Sequence, residues 1–159
     1  MRKTIFIVDD NKSNLVVGSD ALAETYKVYT LDSGARLLKM LEKIMPDLIL
    51  LDVEMPEMDG YEVLERLKSD YRFEEIPVIF LTAHSGAETE LKGLTMGAID
   101  YITKPFSPPL LRHRIEQHLL LNDYRRNLEK MVEEKIHEIV MLKNAALEPA
   151  PELAECRDE

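Results

Sequence analysis

Short apolar runs alternate with amphipathic stretches over the first two thirds of the chain. Apolar runs without polar alternation are typical of strands that are covered by helices on both faces of a parallel sheet. Strands are predicted at residues 4–8, 26–31, 47–51, 77–82 and 100–103, and helices at about 13–25, 33–45, 61–70 and 87–96. Ser13 and Ser33 are expected to cap the first two helices, and Gly97 to end the fourth.

The order of these elements predicts an α/β fold. Each predicted strand is followed by a helix, and a strand, helix, strand unit of this kind makes a parallel, right-handed crossover. The arrangement that buries such strands is an open, doubly wound sheet of five parallel strands with helices on both faces. The first two thirds of the chain are therefore predicted to form one α/β domain.

The pattern changes from about residue 110, where a long helix is predicted. Apolar residues recur every three or four positions with charged residues between them, at Leu121, Tyr124, Leu128, Val132, Ile136, Ile139 and Leu142. A helix of roughly 35 residues is about 50 Å long and cannot pack on so small a domain along its whole length. We predict a parallel coiled-coil homodimer with a stutter where steps of four follow one another. A solvated helix stabilised by its own ion pairs is the alternative.

These patterns divide the chain into three parts. A domain is predicted at residues 1–121, a helical connector at 122–147 and a tail at 148–159. The tail contains Pro149, Pro151 and many acids, so alone it is expected to be frayed or disordered. It is also interpreted as the start of an output domain in a longer protein.

Composition argues against several classes of function. The net charge of −10, without a cluster of Lys and Arg, disfavours binding to nucleic acid or to an anionic membrane. The first apolar run ends at Asp9 and Asp10, which makes it too short for a signal peptide or a membrane span. Cys156 is the single cysteine, so an intrachain disulfide is excluded. A cytoplasmic location is expected.

Residues with candidate chemistry follow four of the predicted strands. Asp9 and Asp10 follow the first, Asp52 the third, Thr82 the fourth and Lys104 the fifth. An acid after a strand is by itself most often a turn or cap residue. Ligands of open parallel sheets bind at the carboxyl ends of the strands, so the joint placement predicts one site. Such a group of oxygens suits Mg²⁺, and a carboxylate such as Asp52 can form an aspartyl phosphate.

Four segments carry a resemblance to a known family. "IVDDNKSN", "DLILLDVEMPEMDGYEVLERLK", "IPVIFLTAH" and "GAIDYITKPF" resemble, in order and spacing, the receiver domains of bacterial two-component response regulators, over roughly residues 3–121. The resemblance implies a flavodoxin-like sheet of order 2-1-3-4-5, a Mg²⁺ cofactor, and a histidine kinase or phosphotransfer protein as the partner. It implies a phosphorylation-activated signalling module that catalyses only its own phosphorylation and dephosphorylation.

The resemblance also implies a role for each site residue. Asp52 matches the phosphoacceptor, Asp9 and Asp10 the metal-binding pair, and Glu54 the position whose backbone carbonyl completes the metal shell. Thr82 and Lys104 match the pair that contacts the phosphoryl group.

Further positions match the family's switch and its control of phosphate lifetime. Thr82 is expected to turn towards the phosphoryl group and Tyr101 to move inward behind it, and Lys104-Pro105 matches a cis peptide bond. Glu54 and His84 are expected to flank the path of the attacking water and so to set the phosphate lifetime. The alternatives are an ordinary half-buried strand aromatic at Tyr101 and solvated loop residues at Glu54 and His84.

The C-terminal stretch resembles, in part, the connector of response regulators that carry an HD-GYP type cyclic di-GMP phosphodiesterase domain. A diguanylate cyclase or a histidine-kinase output are the alternatives. The sequence has no His-Asp metal motif, so this chain is not expected to hydrolyse cyclic di-GMP itself. His113, His118 and His137 are interpreted as surface or packing residues.

Two other functions compete with the receiver interpretation. An aspartate-nucleophile phosphatase of the haloacid dehalogenase type also uses Asp, Thr and Lys around Mg²⁺, but it places its nucleophile in an Asp-x-Asp motif after the first strand. Asp52 instead ends the third strand and is followed by Val53-Glu54. In the second alternative the domain is a passive scaffold and the coiled coil is the functional part.

Overall fold

The computed structural model describes residues 1–84 and 86–147 and contains one parallel sheet. Its strands are β1 (Thr4–Val8), β2 (Lys27–Leu31), β3 (Leu48–Asp52), β4 (Val78–Thr82) and β5 (Asp100–Thr103). Its helices are α1 (Lys12–Leu22), α2 (Gly34–Leu41), α3 (Gly60–Lys68), α4 (Ala87–Met96) and α5 (Pro108–Leu147). The strand order is β2-β1-β3-β4-β5, which confirms the predicted doubly wound fold and the order implied by the resemblance.

Apolar side chains cover both faces of the sheet. On one face Phe6, Ile49 and Phe80 belong to a core that includes residues of α2 and α3. On the other face Ile5 and Leu50 belong to a core that includes residues of α1 and α5. Successive strand residues point to opposite faces, so burial on both sides explains why these runs lack polar alternation.

Several helix boundaries differ from the prediction. Asn11, not Ser13, caps α1, because its side-chain oxygen accepts the N–H groups of Ser13 and Asn14 and so places Ser13 inside the first turn. Ser33 caps α2, and Gly97 ends α4 with a left-handed φ of 112°, both as predicted. Helices α1, α2 and α3 end before the predicted residues, as their last turns tighten and the polypeptide turns away.

Helix α5 has 40 residues and begins at Pro108, a residue type that suits the first turn of a helix. The chain divides after Leu119 into two units, and the described part of the second unit is the helix from residue 120 onwards. Its exposed apolar residues include Leu121, Tyr124, Leu128, Val132, Ile136, Ile139 and Leu142. The long helix is confirmed, whereas the coiled coil stays a prediction.

The predicted tail at residues 148–159, with Cys156, lies outside the described residues. Within the described part, no helix combines the length and the apolar content needed to cross a membrane.

Candidate functional site

Three acids meet at the carboxyl edge of the sheet. Asp9 and Asp10 follow β1, and Asp52 is the last residue of β3, where it pairs with Leu81 of β4. The predicted strand spanned residues 47–51, so β3 begins and ends one residue later than predicted. Asp9, Asp10 and Asp52 each offer a carboxylate oxygen within 4.8 Å of the others. Asp9 and Asp52 are buried and Asp10 is exposed.

Lys104 supplies a cation to two of these acids. Its Nζ lies 2.8 Å from Asp52 Oδ1 and 2.9 Å from Asp9 Oδ2, and its side chain is 16% exposed. Burial lowers the pKa of Lys104, but the hydrogen bond to Asp52 and the ion pair with Asp9 outweigh this effect and raise the pKa above its ordinary value. The ammonium group therefore stays charged between the two carboxylates.

The charge of Asp52 is only partly compensated. Burial raises the pKa of Asp52 to about 7; the Lys104 hydrogen bond opposes this rise and the Asp9 charge adds to it. The second oxygen of Asp9, Oδ2, is buried and forms an ion pair with Lys104 but no hydrogen bond among the described residues. Three acids around one ammonium leave excess negative charge, so a further cation would fit here.

The donor set at this edge suits a hard divalent cation. All the side-chain donors of Asp9, Asp10 and Asp52 are carboxylate oxygens, which Mg²⁺ prefers. The Glu54 backbone lies beside them, because its N–H group donates to Asp52 Oδ1 at 3.3 Å. A buried acceptor on Asp9 without a hydrogen bond is a position that a metal ion would satisfy.

Thr82 ends β4 on the same rim and is buried. Its hydroxyl accepts the N–H group of His84 at 3.0 Å and lies 3.3 Å from the carbonyl oxygen of His84. The hydroxyl is therefore bonded to the loop that follows β4, and a turn towards Asp52 would release His84.

An open cleft of about 570 Å³ lies beside the acids. Its lining residues are Asp10, Val53, Glu54, Met55, Pro56, Asp59, Tyr61, Thr82, His84 and Thr89. His84 Nε2 contacts the carboxylate of Glu54, so these two side chains, both predicted to control the site, form a pair in one cleft. Tyr61 and Thr89 were not predicted, because nothing in their local sequence distinguishes them from other helix residues.

Gly60 lies next to this site, at the start of α3. A Cβ atom at Gly60 would lie 2.9 Å from Val53 Cα, and the Gly60 N–H group donates to the Val53 carbonyl at 2.8 Å. Asp59 caps α3 by accepting the N–H group of Glu62 at 2.9 Å. The start of α3 thus approaches the end of β3 so closely that only glycine fits.

Tyr101 lies on β5, the strand that precedes Lys104. Tyr101 is half-buried, and its hydroxyl donates to Glu90 Oε2 at 2.7 Å. The cis bond between Lys104 and Pro105 is confirmed. His118, interpreted as a surface or packing residue, packs on β5, where its Nε2 lies 2.9 Å from Asp100 Oδ2. Asp100 is 18 residues from His118 in the chain and becomes its neighbour only through the packing of α5 on β5.

The family described as "Response regulator receiver domain" matches residues 5–116. A Vibrio cholerae protein named "Probable cyclic di-GMP phosphodiesterase" is 42% identical over 98% of this chain and 37% of its own length. The protein "Response regulator PleD" of Caulobacter vibrioides is 40% identical over 72% of this chain and 26% of its own length. The chain thus spans well under half of either curated relative.

Solved structures are similar over the first unit's length. A CheY-like receiver domain protein from Methanospirillum hungatei has a TM-score of 0.72 and 28% identity, covering 79% of this chain and 99% of that one. The BeF₃-activated receiver domain of DrrB from Thermotoga maritima has a TM-score of 0.68 and 36% identity, covering 75% of this chain and 98% of that one. The chain belongs to the response regulator receiver family.

Proposed function

We propose that Asp52 accepts a phosphoryl group from a phosphohistidine of a histidine kinase or phosphotransfer protein. The observation that carries this proposal is the buried Asp52 carboxylate, with Lys104 Nζ 2.8 Å from one of its oxygens, at an open cleft. A carboxylate oxygen of Asp52 attacks phosphorus, the bond from phosphorus to the donor nitrogen breaks, and the imidazole leaves and takes a proton from solvent. Lys104 and Thr82 would stabilise the charge on the transferred oxygens.

The proposed cofactor is Mg²⁺. Asp9, Asp10, Asp52 and the backbone carbonyl of Glu54 would hold it, in agreement with the clustered carboxylates and the buried Asp9 oxygen that lacks a hydrogen bond. When bound, the ion would neutralise the excess acid charge and the charge of the incoming phosphoryl group.

Thr82 and Tyr101 are the proposed switch residues, and Glu54 and His84 the proposed controls of phosphate lifetime. The Glu54–His84 pair lines the cleft that water would enter. In His84→Ala the rate of phosphate loss should change, measured by phosphate release after removal of the donor. An unchanged rate would exclude His84 as a residue that controls phosphate lifetime.

Acetyl phosphate with Mg²⁺, followed by intact mass, tests the acceptor. Wild type should gain one phosphoryl group, whereas Asp52→Asn should gain none. The matched control is Asp20→Asn, which removes an exposed acid of α1 and should be phosphorylated like wild type. An equal gain in mass by Asp52→Asn would overturn the assignment of Asp52.

We also propose that the helix from residue 120 pairs with a second copy of itself. Leu128, Val132 and Ile136 form an exposed apolar stripe, and Arg125, Glu129 and Glu133 flank it. A repeat of apolar residues between rows of mixed charge is the pattern by which two identical helices pair. Val132→Lys should shift the mass measured by light scattering from dimer to monomer, and a monomeric wild type would contradict the proposal.

The curated relatives also provide an argument about the output domain. The 42% identity to the Vibrio cholerae protein extends over 98% of this chain and so includes the helix beyond the receiver, whereas the PleD match covers 72%. We propose that residues 1–121 are the receiver, 122–147 a connector and 148–159 the start of a cyclic di-GMP phosphodiesterase domain that performs any hydrolysis. Hydrolysis of cyclic di-GMP by a longer protein that includes this chain would support the proposal if Asp52→Asn abolishes the activity or makes it independent of phosphorylation. Phosphodiesterase activity of residues 1–147 alone would contradict it.

A further inference from the structure

Polar contacts hold β5 on both of its faces. Its first two residues, Asp100 and Tyr101, point to opposite sides of the sheet. On one side the Tyr101 hydroxyl donates to Glu90 Oε2 of α4 at 2.7 Å. On the other side Asp100 Oδ2 accepts from Arg114 Nη1 of α5 at 2.7 Å and lies 2.9 Å from His118 Nε2.

The Asp100 contacts anchor the strand. The Asp100 side chain is 15% exposed, and its Oδ1 accepts the N–H group of Tyr101 at 2.8 Å. Burial raises the pKa of Asp100, but the bonds from Arg114 and His118 outweigh it and hold the pKa below its usual value. The backbone at Tyr101 is therefore tied to α5, so a movement of Tyr101 would take place in its side chain rather than by a shift of β5.

The Glu90 contact restrains that side chain. The hydrogen bond to Glu90 raises the pKa of the Tyr101 hydroxyl, so the hydroxyl keeps its proton and remains a donor. A rotation of the ring away from α4 would break this charge-assisted bond and leave the Glu90 carboxylate without it. The bond is therefore available only while Tyr101 points outward.

We propose that Glu90 is a positioning residue that holds Tyr101 outward and thereby stabilises the resting state of the receiver. The inference rests on the proposed switch at Thr82 and Tyr101. If the active state is a minor population at rest, the apparent affinity of a phosphoryl mimic is reduced by that fraction. Removing a bond that forms only in the resting state increases the fraction of receiver in the active state and so strengthens binding of the phosphoryl mimic.

Beryllofluoride binding with excess Mg²⁺, measured by isothermal titration calorimetry, tests the proposal. Glu90→Ala and Tyr101→Phe should each bind beryllofluoride about three- to tenfold more tightly than wild type. The double variant should bind no more tightly than either single variant, because both changes remove the same bond. Glu90→Gln keeps an acceptor oxygen without the charge and should lie between wild type and Glu90→Ala.

The control is Glu88→Ala, which removes an exposed acid from the first turn of the same helix and should leave the affinity unchanged. A residue with only a structural role would lower the melting temperature and weaken binding when removed. Unchanged or weaker binding by Glu90→Ala, or additive effects in the double variant, would overturn the inference. Equal binding by wild type and Asp52→Asn would instead overturn the proposed function beneath it.

Discussion

Two aspartates of one sheet, the buried Asp52 and the half-buried Asp100, have opposite electrostatic environments. Burial acts in the same direction on both, yet the pKa of Asp52 is raised to about 7 and the pKa of Asp100 is lowered. Asp52 shares the single ammonium of Lys104 with Asp9. Asp100 alone receives Arg114, His118 and a backbone N–H group. The number of donors per carboxylate, not the depth of burial, decides the direction of the shift.

The difference indicates which acid serves the fold and which serves chemistry. Asp100 has satisfied its hydrogen-bonding capacity and gains nothing from a further cation, so it contributes to the stability of the β5 and α5 contact. The acids around Asp52 carry uncompensated charge in a buried, open-sided cluster, which costs stability and favours binding of a cation and a phosphoryl group.

Removal of Lys104 should have the largest effect on stability. Lys104→Met leaves Asp9 and Asp52 buried without their cation, so the free energy of unfolding should fall by about 3 kcal/mol in metal-free buffer. Urea denaturation at pH 8 with a chelator measures the loss, and Mg²⁺ should restore part of it. The matched variant Lys39→Met removes an exposed lysine of α2 and should change little. A loss below about 1 kcal/mol for Lys104→Met would contradict the inference that Lys104 compensates the charge of the buried acids.

Mg²⁺ should stabilise the wild type by the next largest amount. A ligand at about 100 times its Kd raises the free energy of unfolding by about 2.7 kcal/mol. Asp9→Asn removes the negative charge and replaces one carboxylate oxygen by an amide nitrogen, so it should lose most of this gain, whereas Asp20→Asn should keep it. Thermal unfolding over a Mg²⁺ titration provides the comparison, and an equal rise in melting temperature for Asp9→Asn would exclude Asp9 from the metal site.

How far the sequence predicts a contact depends on whether the sheet topology alone brings its residues together. The acids, Thr82 and Lys104 follow apolar strands, and a parallel sheet brings strand ends together whatever the loops between them do, so this cluster was predictable. The contact between Glu90 and Tyr101 spans 11 residues, and it requires a particular placement of α4 beside β5. No local pattern carries that information.

Local ambiguities produced the smaller errors. Asn11 and Ser13 are both good capping types, and only the backbone geometry decides between them. The close approach of α3 to β3, which requires a glycine at position 60, is a separate matter that the neighbouring sequence does not reveal.

Asp100→Asn should have a moderate effect that depends on pH. It removes the charge that Arg114 and His118 face, at a cost of roughly 1 to 2 kcal/mol at pH 7, since Arg114 is partly exposed. Because folding lowers the pKa of Asp100, its contribution is present above the ordinary pKa of about 3.9 and is lost as the pH falls through the lower folded value. The difference in free energy of unfolding between wild type and Asp100→Asn, measured by urea denaturation, should therefore become smaller from pH 7 to pH 3. A difference in free energy of unfolding that grows at acid pH would contradict the lowered pKa of Asp100.

The smallest effect is expected at an ion pair that lacks burial. Arg66 and Glu62 lie 3.4 Å apart on α3, with side chains 54% and 47% exposed. Water screens both charges, so Arg66→Ala should change the free energy of unfolding by no more than about 0.5 kcal/mol, and added salt should erase the difference. Urea denaturation at low and high salt, run beside Asp100→Asn, compares an exposed ion pair with a half-buried one. If Arg66→Ala lowered the free energy of unfolding as much as Asp100→Asn does, the opposite pKa shifts of Asp52 and Asp100 could not be attributed to desolvation and the number of donors.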